Sequence, residues 1–435
     1  MKNIFKKILQ LVLVFFAKLI LSRYKPEIVG ITGSVGKTTT KEAIYAVLSS
    51  KYKTRKNFKN YNNEIGIPLT IIGVEAGGKS LTKWIKVFFK AFKLILLKDK
   101  NYPKILVLEM GADRPGDIKY LVGFIPLKIG VVTSVGPAHI EFFGSLDNIA
   151  KEKGVLVRNL SKDGYAILNA DDLRVNKMKD KTKAKVITFG LLPHAEIYAS
   201  EIAISHNVNY KDVSTIQGIS FKLKYHGKTI PVLLPRVLGE HLAYSALAAI
   251  CVGICYNLNL HNIIDSLRNF EPPKGRMSII KGIKNTLIID DSYNSSPLAA
   301  KKALYLLNQI NLNQHHKKYA VLGDMLELGS IAEKAHQEIG KAAYKYEIDY
   351  LITVGEISRD IVRGAVEAGM LKDCCFNFKD SIEAGKFLKQ RIKEGDLILI
   401  KGSQGTRMER AVKEIMAEPQ RAEDLLVRQG KEWEN

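Results

Sequence analysis

The sequence predicts an α/β protein made of two parallel-sheet domains, each with helices on both faces of its sheet. Near the start, a buried strand at 27–32 (EIVGIT), a glycine-rich turn at 33–37 and a helical stretch at 38–50 follow one another. Buried strands then alternate with helices, as in parallel α/β sheets. After the Pro272-Pro273 linker the same alternation starts again, which predicts a second doubly wound domain.

The first 26 residues predict an apolar, basic helix. Residues 8–21 are apolar except for Gln10 and Lys18, and no small-residue cleavage site of the signal-peptide kind follows them. The run is also shorter than the roughly 20 residues that a spanning helix needs. We therefore expect this helix to lie in a membrane interface or to pack on the protein.

The remaining elements follow from short buried strands separated by helical stretches. Residues 242–255 predict a helix, and 196–235, with a His226-Gly227 turn, predict a small antiparallel addition. The other strands are expected at 104–109, 129–133, 165–168, 286–290, 319–322, 350–354 and 396–400. We expect a central P-loop domain at 27–272, a C-terminal Rossmann-like domain at 273–416, and a charged tail with a surface helix at 417–435.

Composition and charge restrict the class of protein. The chain has 435 residues, of which 46% are hydrophobic and 25% charged, a balance that excludes wholesale disorder. Its net charge is +22, and residues 1–100 carry 20 basic and 5 acidic side chains. Nucleic acid, an anionic membrane surface or acidic small molecules would each suit this excess.

A second basic amphipathic helix is expected at 83–98 (KWIKVFFKAFKLILLK). Trp84, Phe88, Phe92 and Ile95 fall on one face, and the lysines fall on another: Lys79, Lys83, Lys86, Lys90 and Lys93. Membrane contact and burial of the apolar face in the core are both open. A continuous apolar face beside lysines does not resemble the isolated stacking aromatics of nucleic-acid sites, so we expect no nucleic-acid partner.

Residues 30–39 (GITGSVGKTT) lie between the first strand and its helix. Glycines let backbone N–H groups converge on phosphate oxygens. Lys37 is expected to neutralise the β/γ-phosphates and Thr38 to hold Mg²⁺, although the strict P-loop spacing has glycine where this chain has Ile31. The predicted nucleotide-binding residues are Gly33, Ser34, Val35, Gly36, Lys37, Thr38 and Thr39.

Three further side chains are candidates for the same site. Glu109 ends the strand at 104–109, where a second metal ligand is expected, although a helix cap is an alternative role. His139 follows the next strand, at the edge where ligands bind in open α/β sheets. From the residues alone, Lys153 would be a solvated helix lysine. The four cysteines lack zinc-site spacing, which predicts reduced, buried thiols.

Together these motifs resemble the Mur ligases, the ATP-dependent amide-forming enzymes of peptidoglycan precursor synthesis. The resemblance covers about residues 27–416 and rests on residues 30–39, 60–68, 109–112, 139 with 143–146, 168–172, 275–276, 290–297, 323–329 with 336, and 401–409. The segments 62–68, 290–297 and 323–329 look most like the subgroup that adds D-alanyl-D-alanine to a muramyl tripeptide.

The resemblance implies a reaction. ATP phosphorylates a peptide carboxylate, the incoming amine attacks the acyl phosphate, and phosphate leaves. Negative charge develops on the transferring phosphoryl group and on the tetrahedral intermediate, so cations are needed at both. The implied cofactors are ATP and two Mg²⁺ ions, and the implied partners are a muramyl-peptide precursor and D-alanyl-D-alanine. We expect a cytoplasmic monomer, with peripheral contact to the inner face of the cell membrane through residues 4–21 and 83–98.

The resemblance also assigns roles to single residues. Thr38 and Glu109 would hold the first Mg²⁺, with His139 and a carbamylated Lys153 supporting the second, and Lys37, Lys153 and His139 would be catalytic. From the C-terminal domain, ATP contacts are implied for Arg276, Asp291 and Asn294, so that the site forms as the domains close. The implied substrate-binding residues are Asn62, Asn63, Ser403 and Glu409.

Two departures from the family pattern qualify these expectations. The helix after Gly239-Glu240-His241 has Leu242 and Ser245 where the family usually has two asparagines, which puts the base contact in doubt. Only 26 residues precede the first strand, so we expect the usual N-terminal UDP-binding domain to be missing. A different amine acceptor, a lipid-linked substrate, and a non-catalytic P-loop protein that binds membrane or nucleic acid are the alternatives.

Overall fold

A computed structural model describes residues 2–58, 61–78, 80–137, 140–206, 215–430 and 433, with the side chains of 2–5 and 206 left out. Two residues named above, Lys79 and His139, lie outside the described residues. The chain divides into two compact units. The first comprises Met1–Ile202, Phe221–Val232 and His241–Phe270, and the second comprises Ala203–Ser220, Leu233–Glu240 and Glu271–Asn435.

The chain up to residue 270 folds into ten α-helices and nine strands within its described part. In chain order they are α1 (Lys2–Tyr24), β1 (Glu27–Thr32), α2 (Lys37–Ser49), β2 (Thr54–Lys56), α3 (Gly66–Ile72), α4 (Leu81–Leu96), β3 (Ile105–Glu109), α5 (Asp117–Val122), β4 (Ile129–Val132), α6 (Ile140–Phe143), α7 (Leu146–Arg158), β5 (Tyr165–Asn169), α8 (Leu173–Asn176), β6 (Lys185–Gly190), β7 (Ile197–His206), β8 (Ile216–Tyr225), β9 (Lys228–Pro235), α9 (His241–Cys255) and α10 (Leu260–Arg268).

The nine strands form one sheet in the order β2-β3-β1-β4-β5-β6-β7-β8-β9. Neighbours from β2 to β7 are parallel. The predicted antiparallel addition begins after β7, where the His226-Gly227 turn joins β8 to β9. Both turn residues have positive φ, 46° and 73°, the geometry that a two-residue hairpin needs. Because β1 lies between β3 and β4, the carboxyl ends of these three strands meet at one edge.

The N-terminal helix α1 packs on the protein, which is one of the two environments that the sequence predicts for it. Its buried residues Leu13, Phe16, Ala17, Ile20 and Leu21 join the core that also holds α3 and one face of α4. Within the described residues, no helix is both long and apolar enough to cross a bilayer.

The second unit contains a six-stranded sheet in the order β10-β11-β15-β12-β13-β14. Only the edge pair β10–β11 is antiparallel. In chain order the elements are β10 (Ser278–Lys281), β11 (Leu287–Asp291), α11 (Pro297–Gln309), β12 (Lys318–Gly323), α12 (Ala332–Lys345), β13 (Tyr350–Val354), α13 (Arg359–Ala368), β14 (Cys375–Phe378), α14 (Ser381–Arg391), β15 (Leu397–Lys401), α15 (Glu409–Ile415) and α16 (Ala422–Leu425).

Two expectations about the second half need adjustment. The strands β10 and β14, four residues each, were not expected from the sequence, because such short segments carry little periodicity. The charged tail was expected to be a surface helix, but α16 has only four residues. Ala422 and Leu426 are buried in the core of this unit, so the tail packs against the domain that precedes it.

Candidate active site

The glycine-rich loop after β1 has backbone geometry that favours glycine at two positions. Gly33 has φ 151°, and a Cβ there would lie 1.9 Å from Thr133 Oγ1 on the segment that follows β4. Gly36 has φ 85° and caps α2, which begins at Lys37 without a side-chain cap. The positive end of the α2 dipole therefore adjoins the loop, as anion-binding loops require.

Hydrogen bonds hold this loop against the segment after β4. The Ser34 N–H donates to Ser134 O (2.8 Å), and the Val35 N–H donates to Ser134 Oγ (3.1 Å). Lys37 Nζ folds back to Gly33 O at 2.8 Å, which keeps the ammonium group beside the loop. Thr38 is half-buried and Thr39 is buried, so Thr38 is the more accessible of the two hydroxyls.

Glu109 lies at the end of β3, next to the loop-bearing strand β1, and only 4% of its surface is exposed. Its Oε1 accepts a hydrogen bond from Asn62 Nδ2 at 3.1 Å. Asn62, a predicted substrate residue, is therefore hydrogen-bonded to Glu109, the predicted metal ligand. Asn63 has a different role, because its Oδ1 accepts from the N–H groups of Ile65 and Gly66 at the start of α3.

Two residues around Glu109 were missed at the sequence level. Lys41 is 1% exposed, and its Nζ lies 3.8 Å from Glu109 Oε2 and 3.3 Å from Glu42 Oε1. Asn57 accepts from the Glu109 N–H at 2.6 Å and so fixes the end of β3. The position of Lys41, four residues after Lys37 on the same helix face, was a usable signal; Asn57 had none.

Lys153 is buried on α7, with 4% of its surface exposed, so it is not a solvated lysine. Desolvation, reinforced by the charge of Lys37, lowers its pKa to about 7, against the opposing attraction of Glu152 and Asp113. Glu152 is also buried and accepts from the N–H groups of Gly116 and Ile118, at 2.9 and 2.8 Å, around the start of α5. A half-neutral amine near the glycine-rich loop has the protonation state that reaction with carbon dioxide requires.

The donor set fits Mg²⁺ bound together with a nucleotide. In the described part of the chain, no three acidic, His or Cys side chains converge into a metal cluster. Mg²⁺ typically takes one or two carboxylates and completes its shell with water and phosphate oxygens. The Thr38 hydroxyl, in the first turn of α2, and the Glu109 carboxylate, at the end of β3, would supply the protein's share.

In the second unit, predicted ATP-contact residues from distant segments come together. Buried Lys401, at the end of β15, donates to Asp291 Oδ2 (2.6 Å) and to Asn294 O (2.8 Å). The Arg276 guanidinium lies 4.3 Å from the Tyr293 ring centroid. Gly275 has φ 68°, and its carbonyl accepts from the Tyr293 N–H at 2.9 Å.

Asp290, which precedes this group, is completely buried. Burial raises its pKa to about 7, although hydrogen bonds from Ser292 oppose the rise. Its Oδ1 accepts from the Ser292 N–H at 3.1 Å. Asp290 therefore stabilises the turn after β11 through its bond to the Ser292 N–H. Asp291 is the carboxylate that pairs with Lys401.

The two remaining predicted substrate residues, Ser403 and Glu409, are buried and engaged with protein groups. Ser403 Oγ accepts from the Leu326 N–H at 2.9 Å. Glu409 is 0% exposed, and its carboxylate oxygens accept from Arg407 Nε at 2.6 Å and from an Arg428 amino group at 2.9 Å. Their roles toward substrate stay predictions, and a contact to substrate by Glu409 would compete with these two arginines.

Arg428 ties the C-terminal tail to this group. It also donates to the carbonyl oxygens of Ser292 (3.3 Å) and Tyr293 (2.5 Å). We expect Arg428→Met to lower the free energy of unfolding of this unit by about 3 kcal/mol, because removing one partner of a buried ion pair leaves the other under-compensated. Urea denaturation in a Trp84→Phe background, where Trp433 is the only tryptophan, measures this change.

Arg421→Met is the matched control, because Arg421 pairs with Glu418 on the surface, where both side chains are about half exposed. Its effect should stay within about 0.5 kcal/mol. An Arg428→Met protein that unfolds at the same urea concentration as the Arg421→Met protein would show that the tail does not stabilise the unit.

Comparison with known proteins assigns the family. Models described as the Mur ligase middle domain and the Mur ligase glutamate ligase domain match residues 31–82 with 90–253, and residues 275–404. The chain is 30% identical over 404 residues to the UDP-N-acetylmuramoyl-tripeptide–D-alanyl-D-alanine ligase of Bacillus subtilis, covering 93% of this chain and 79% of that protein.

Solved structures agree with this assignment. MurF from Acinetobacter baumannii matches with a TM-score of 0.75 at 25% identity, over 93% of this chain and 79% of that one. MurF ligase from Thermotoga maritima in complex with ADP matches with a TM-score of 0.73 at 26% identity, over 93% and 83%. The predicted fold class, a P-loop parallel-sheet ATPase domain followed by a Rossmann-like domain, is confirmed. The chain belongs to the Mur ligase family.

Proposed function

We propose that this protein is an ATP-dependent amide-bond ligase of peptidoglycan precursor synthesis. It joins D-alanyl-D-alanine to the carboxylate of a muramyl tripeptide through an acyl phosphate and releases ADP and phosphate. The observation that supports this most directly is the 30% identity to a ligase of that name over 93% of the chain. The glycine-rich loop, Glu109 and Lys153, which adjoin one sheet edge, support the same chemistry.

The P-loop unit would bind the triphosphate and assist phosphoryl transfer. The backbone of residues 33–36 and the α2 N-terminus would hold phosphate oxygens, and Lys37 would neutralise charge on the transferring group. Thr38 and Glu109 would hold Mg²⁺, which would supply further positive charge when bound. Asn62 donates to Glu109 and so restricts the orientation of that carboxylate.

Lys153 would act on the same reaction through its modified form. Its pKa of about 7 leaves much of the amine neutral at physiological pH, and a neutral amine can react with carbon dioxide. The carbamate would be an anion able to support a second Mg²⁺, together with His139. Glu152, which holds the start of α5, fixes the rotation of α7 and thereby the direction of Lys153.

The second unit would supply the remaining ATP and substrate contacts. Arg276, Asp291 and Asn294 are proposed to contact ATP, and Lys401 positions the last two of these through its bonds to Asp291 and Asn294. Asn63, Ser403 and Glu409 are proposed to act on the muramyl peptide or the acceptor. Their present hydrogen bonds define the positions from which they would do so.

The enzyme is proposed to work as a monomer in the cytoplasm, at the inner face of the cell membrane. Segments 4–21 and 83–98 support membrane contact, since both helices are apolar and basic. A precursor already linked to a lipid is then the alternative to the UDP-linked substrate, and the assay described next distinguishes the two.

The test is release of ADP by the purified protein with ATP, Mg²⁺ and D-alanyl-D-alanine, using either UDP-linked or lipid-linked muramyl tripeptide. We expect turnover that requires both the tripeptide and D-alanyl-D-alanine, with a product heavier by the dipeptide in mass spectrometry. L-alanyl-L-alanine is the matched control acceptor. Turnover supported only by a different amine would contradict the proposed acceptor, and absence of acceptor-dependent turnover with both precursors would contradict the ligase function.

A further inference from the structure

Helices α1 and α4 lie side by side in the first unit and run in the same direction. Phe16 lies 6.0 Å from Phe88 and 5.1 Å from Phe92 between ring centroids. About two turns further along α1 and one turn further along α4, the Tyr24 hydroxyl donates to Leu94 O (3.0 Å) and Leu97 O (3.1 Å). The two helices thus form one continuous surface.

Each helix exposes a stripe of apolar side chains beside its buried face. On α1 the stripe has the i, i+3, i+4, i+7 spacing of a helix face, and on α4 it repeats every three or four residues. Exposed fractions range from 36% to 75%. The stripe residues are Ile8, Leu11, Val12, Phe15 and Leu19 on α1, and Leu81, Ile85, Phe89, Phe92 and Leu96 on α4.

The stripes meet where the helices touch. At 100° per residue, Phe16 borders the exposed stripe of α1, and its partner Phe92 belongs to the stripe of α4 and is 53% exposed. Monomeric soluble proteins seldom expose apolar surface that is continuous over two helices, and such surface commonly marks an interaction site. We call these ten residues and Phe16 the two-helix apolar face.

Lysines border this face on both outer edges. On α1, the side of the stripe that faces away from α4 carries Lys7 and Lys18. On α4, the side of the stripe that faces away from α1 carries Lys83, Lys86, Lys90 and Lys93. The two helices together carry nine basic and no acidic side chains. An apolar centre with basic edges complements an anionic lipid surface, where apolar groups enter the acyl boundary and lysines meet headgroup phosphates.

We propose that the two-helix apolar face binds an anionic lipid bilayer, with both helix axes lying in the membrane plane. The positive charge favours a bilayer over a second copy of the chain as the partner, because two such faces in contact would place lysines against lysines. Binding of this kind is peripheral, because residues on the opposite sides of both helices are committed to the protein core. This assignment rests on the membrane contact proposed above for segments 4–21 and 83–98. It does not rest on ligase activity, because binding to vesicles is measured without substrate.

Vesicle sedimentation of the full chain tests the proposal. We expect binding to phosphatidylcholine vesicles that contain phosphatidylglycerol, little binding to pure phosphatidylcholine, and weaker binding at high salt. In a Trp433→Phe background, emission of Trp84 on α4 should shift to shorter wavelength on binding. A chain that does not bind the anionic vesicles would overturn the proposal, whether or not it ligates peptides.

Two sets of variants separate the apolar and basic contributions. Phe15→Glu with Phe89→Glu should weaken vesicle binding at least about 10-fold, because each places a charge where acyl chains would lie; Leu173→Glu, at a site 76% exposed on α8, is the control. Changing Lys83, Lys86, Lys90 and Lys93 to Gln should weaken binding about 10³-fold. The matched control changes four exposed lysines on one other segment to Gln: Lys177, Lys179, Lys181 and Lys183.

If the test and control lysine variants lost vesicle binding equally, net charge alone would explain the effect. That result would overturn the assignment of the membrane-binding site to this face. Light scattering with size exclusion is the complementary measurement. The parent protein could instead be a dimer that does not bind vesicles and that becomes a monomer in the Phe15→Glu, Phe89→Glu variant. That result would show that a second copy of the chain occupies the face. Circular dichroism of each variant, unchanged from the parent, establishes that it remains folded.

Discussion

Lys37→Ala should reduce ligase turnover by about 10³-fold or more. The ammonium lies at the start of α2, folded onto Gly33 O, where it would meet the phosphoryl group as negative charge develops. Loss of one preorganised cation from such a site typically costs about 10² to 10⁵ in rate. The loss should appear in kcat, because the interaction strengthens in the transition state. ADP release at saturating substrates measures it.

Lys51→Ala is the matched control for this variant. Lys51 lies just after the same helix, is exposed, and should be replaceable without loss of turnover. If the Lys37→Ala enzyme kept turnover within about tenfold of the parent, while Lys51→Ala behaved like the parent, the glycine-rich loop would not be the phosphate site.

Lys153→Ala should lower turnover by about 10²-fold, the upper end of the range for losing a group that supports a catalytic metal. The control is Lys151→Ala, two residues earlier on the same helix, where the side chain is exposed. Unchanged turnover in the Lys153→Ala enzyme would exclude a catalytic role. A second readout is independent of activity: protein equilibrated with ¹³C-bicarbonate should give a ¹³C carbamate resonance that Lys153→Ala removes and Lys151→Ala retains.

The lowered pKa of Lys153 also predicts a pH dependence of stability. Between pH 7 and 10.5 the unfolded chain keeps this proton and the folded chain releases it. Stability therefore rises with pH across this window, and the penalty of burying the charge is fully present below pH 7. Lys153→Met should flatten the increase, as measured by urea denaturation at pH 7 and pH 9. A slope unchanged by Lys153→Met would show that Lys153 titrates normally.

Much of the fold could be predicted because its strands are short buried runs between helices. The strands at 27–32 and 350–354 match β1 and β13 residue for residue. The glycine-rich loop follows from the same reasoning, since a strand, three glycines and a helix leave the backbone few alternatives. By contrast, β10 and β14 owe their conformation to pairing with β11 and β13, and four residues alone do not encode it.

Helix α4 shows what periodicity leaves open. The sequence placed Trp84, Phe88, Phe92 and Ile95 on one apolar face opposite the lysines. The core instead covers Val87, Ala91 and Leu94. Trp84, Phe88 and Ile95 are only partly buried, and the apolar stripe that begins at Leu81 is exposed. Amphipathicity fixes the direction of an apolar face, but the covered part of that face depends on α1 and α3, which are distant in sequence.

Around the candidate site, long-range contacts were the missing information. Glu109 could be expected from its place at a strand end, and Lys153 only from the family resemblance, because burial of a helix lysine is not visible in local sequence. Arg428 had the same difficulty in a tail expected to be solvated. Its ion pair with Glu409 exists because Ala422 and Leu426 anchor that tail in the core.

The hydrogen bonds between the glycine-rich loop and Ser134 make nucleotide binding an exchange of partners. A phosphate oxygen that accepts the Val35 N–H displaces the Ser134 hydroxyl, which itself also donates to Val35 O at 3.2 Å. At the Ser34 and Val35 N–H groups, a bond gained by the ligand is offset by one that the protein gives up, so this part of the measured affinity is a difference between two bonded states. Ser134→Ala would remove one of these competing bonds, and the expected result is a lower Kd for ADP.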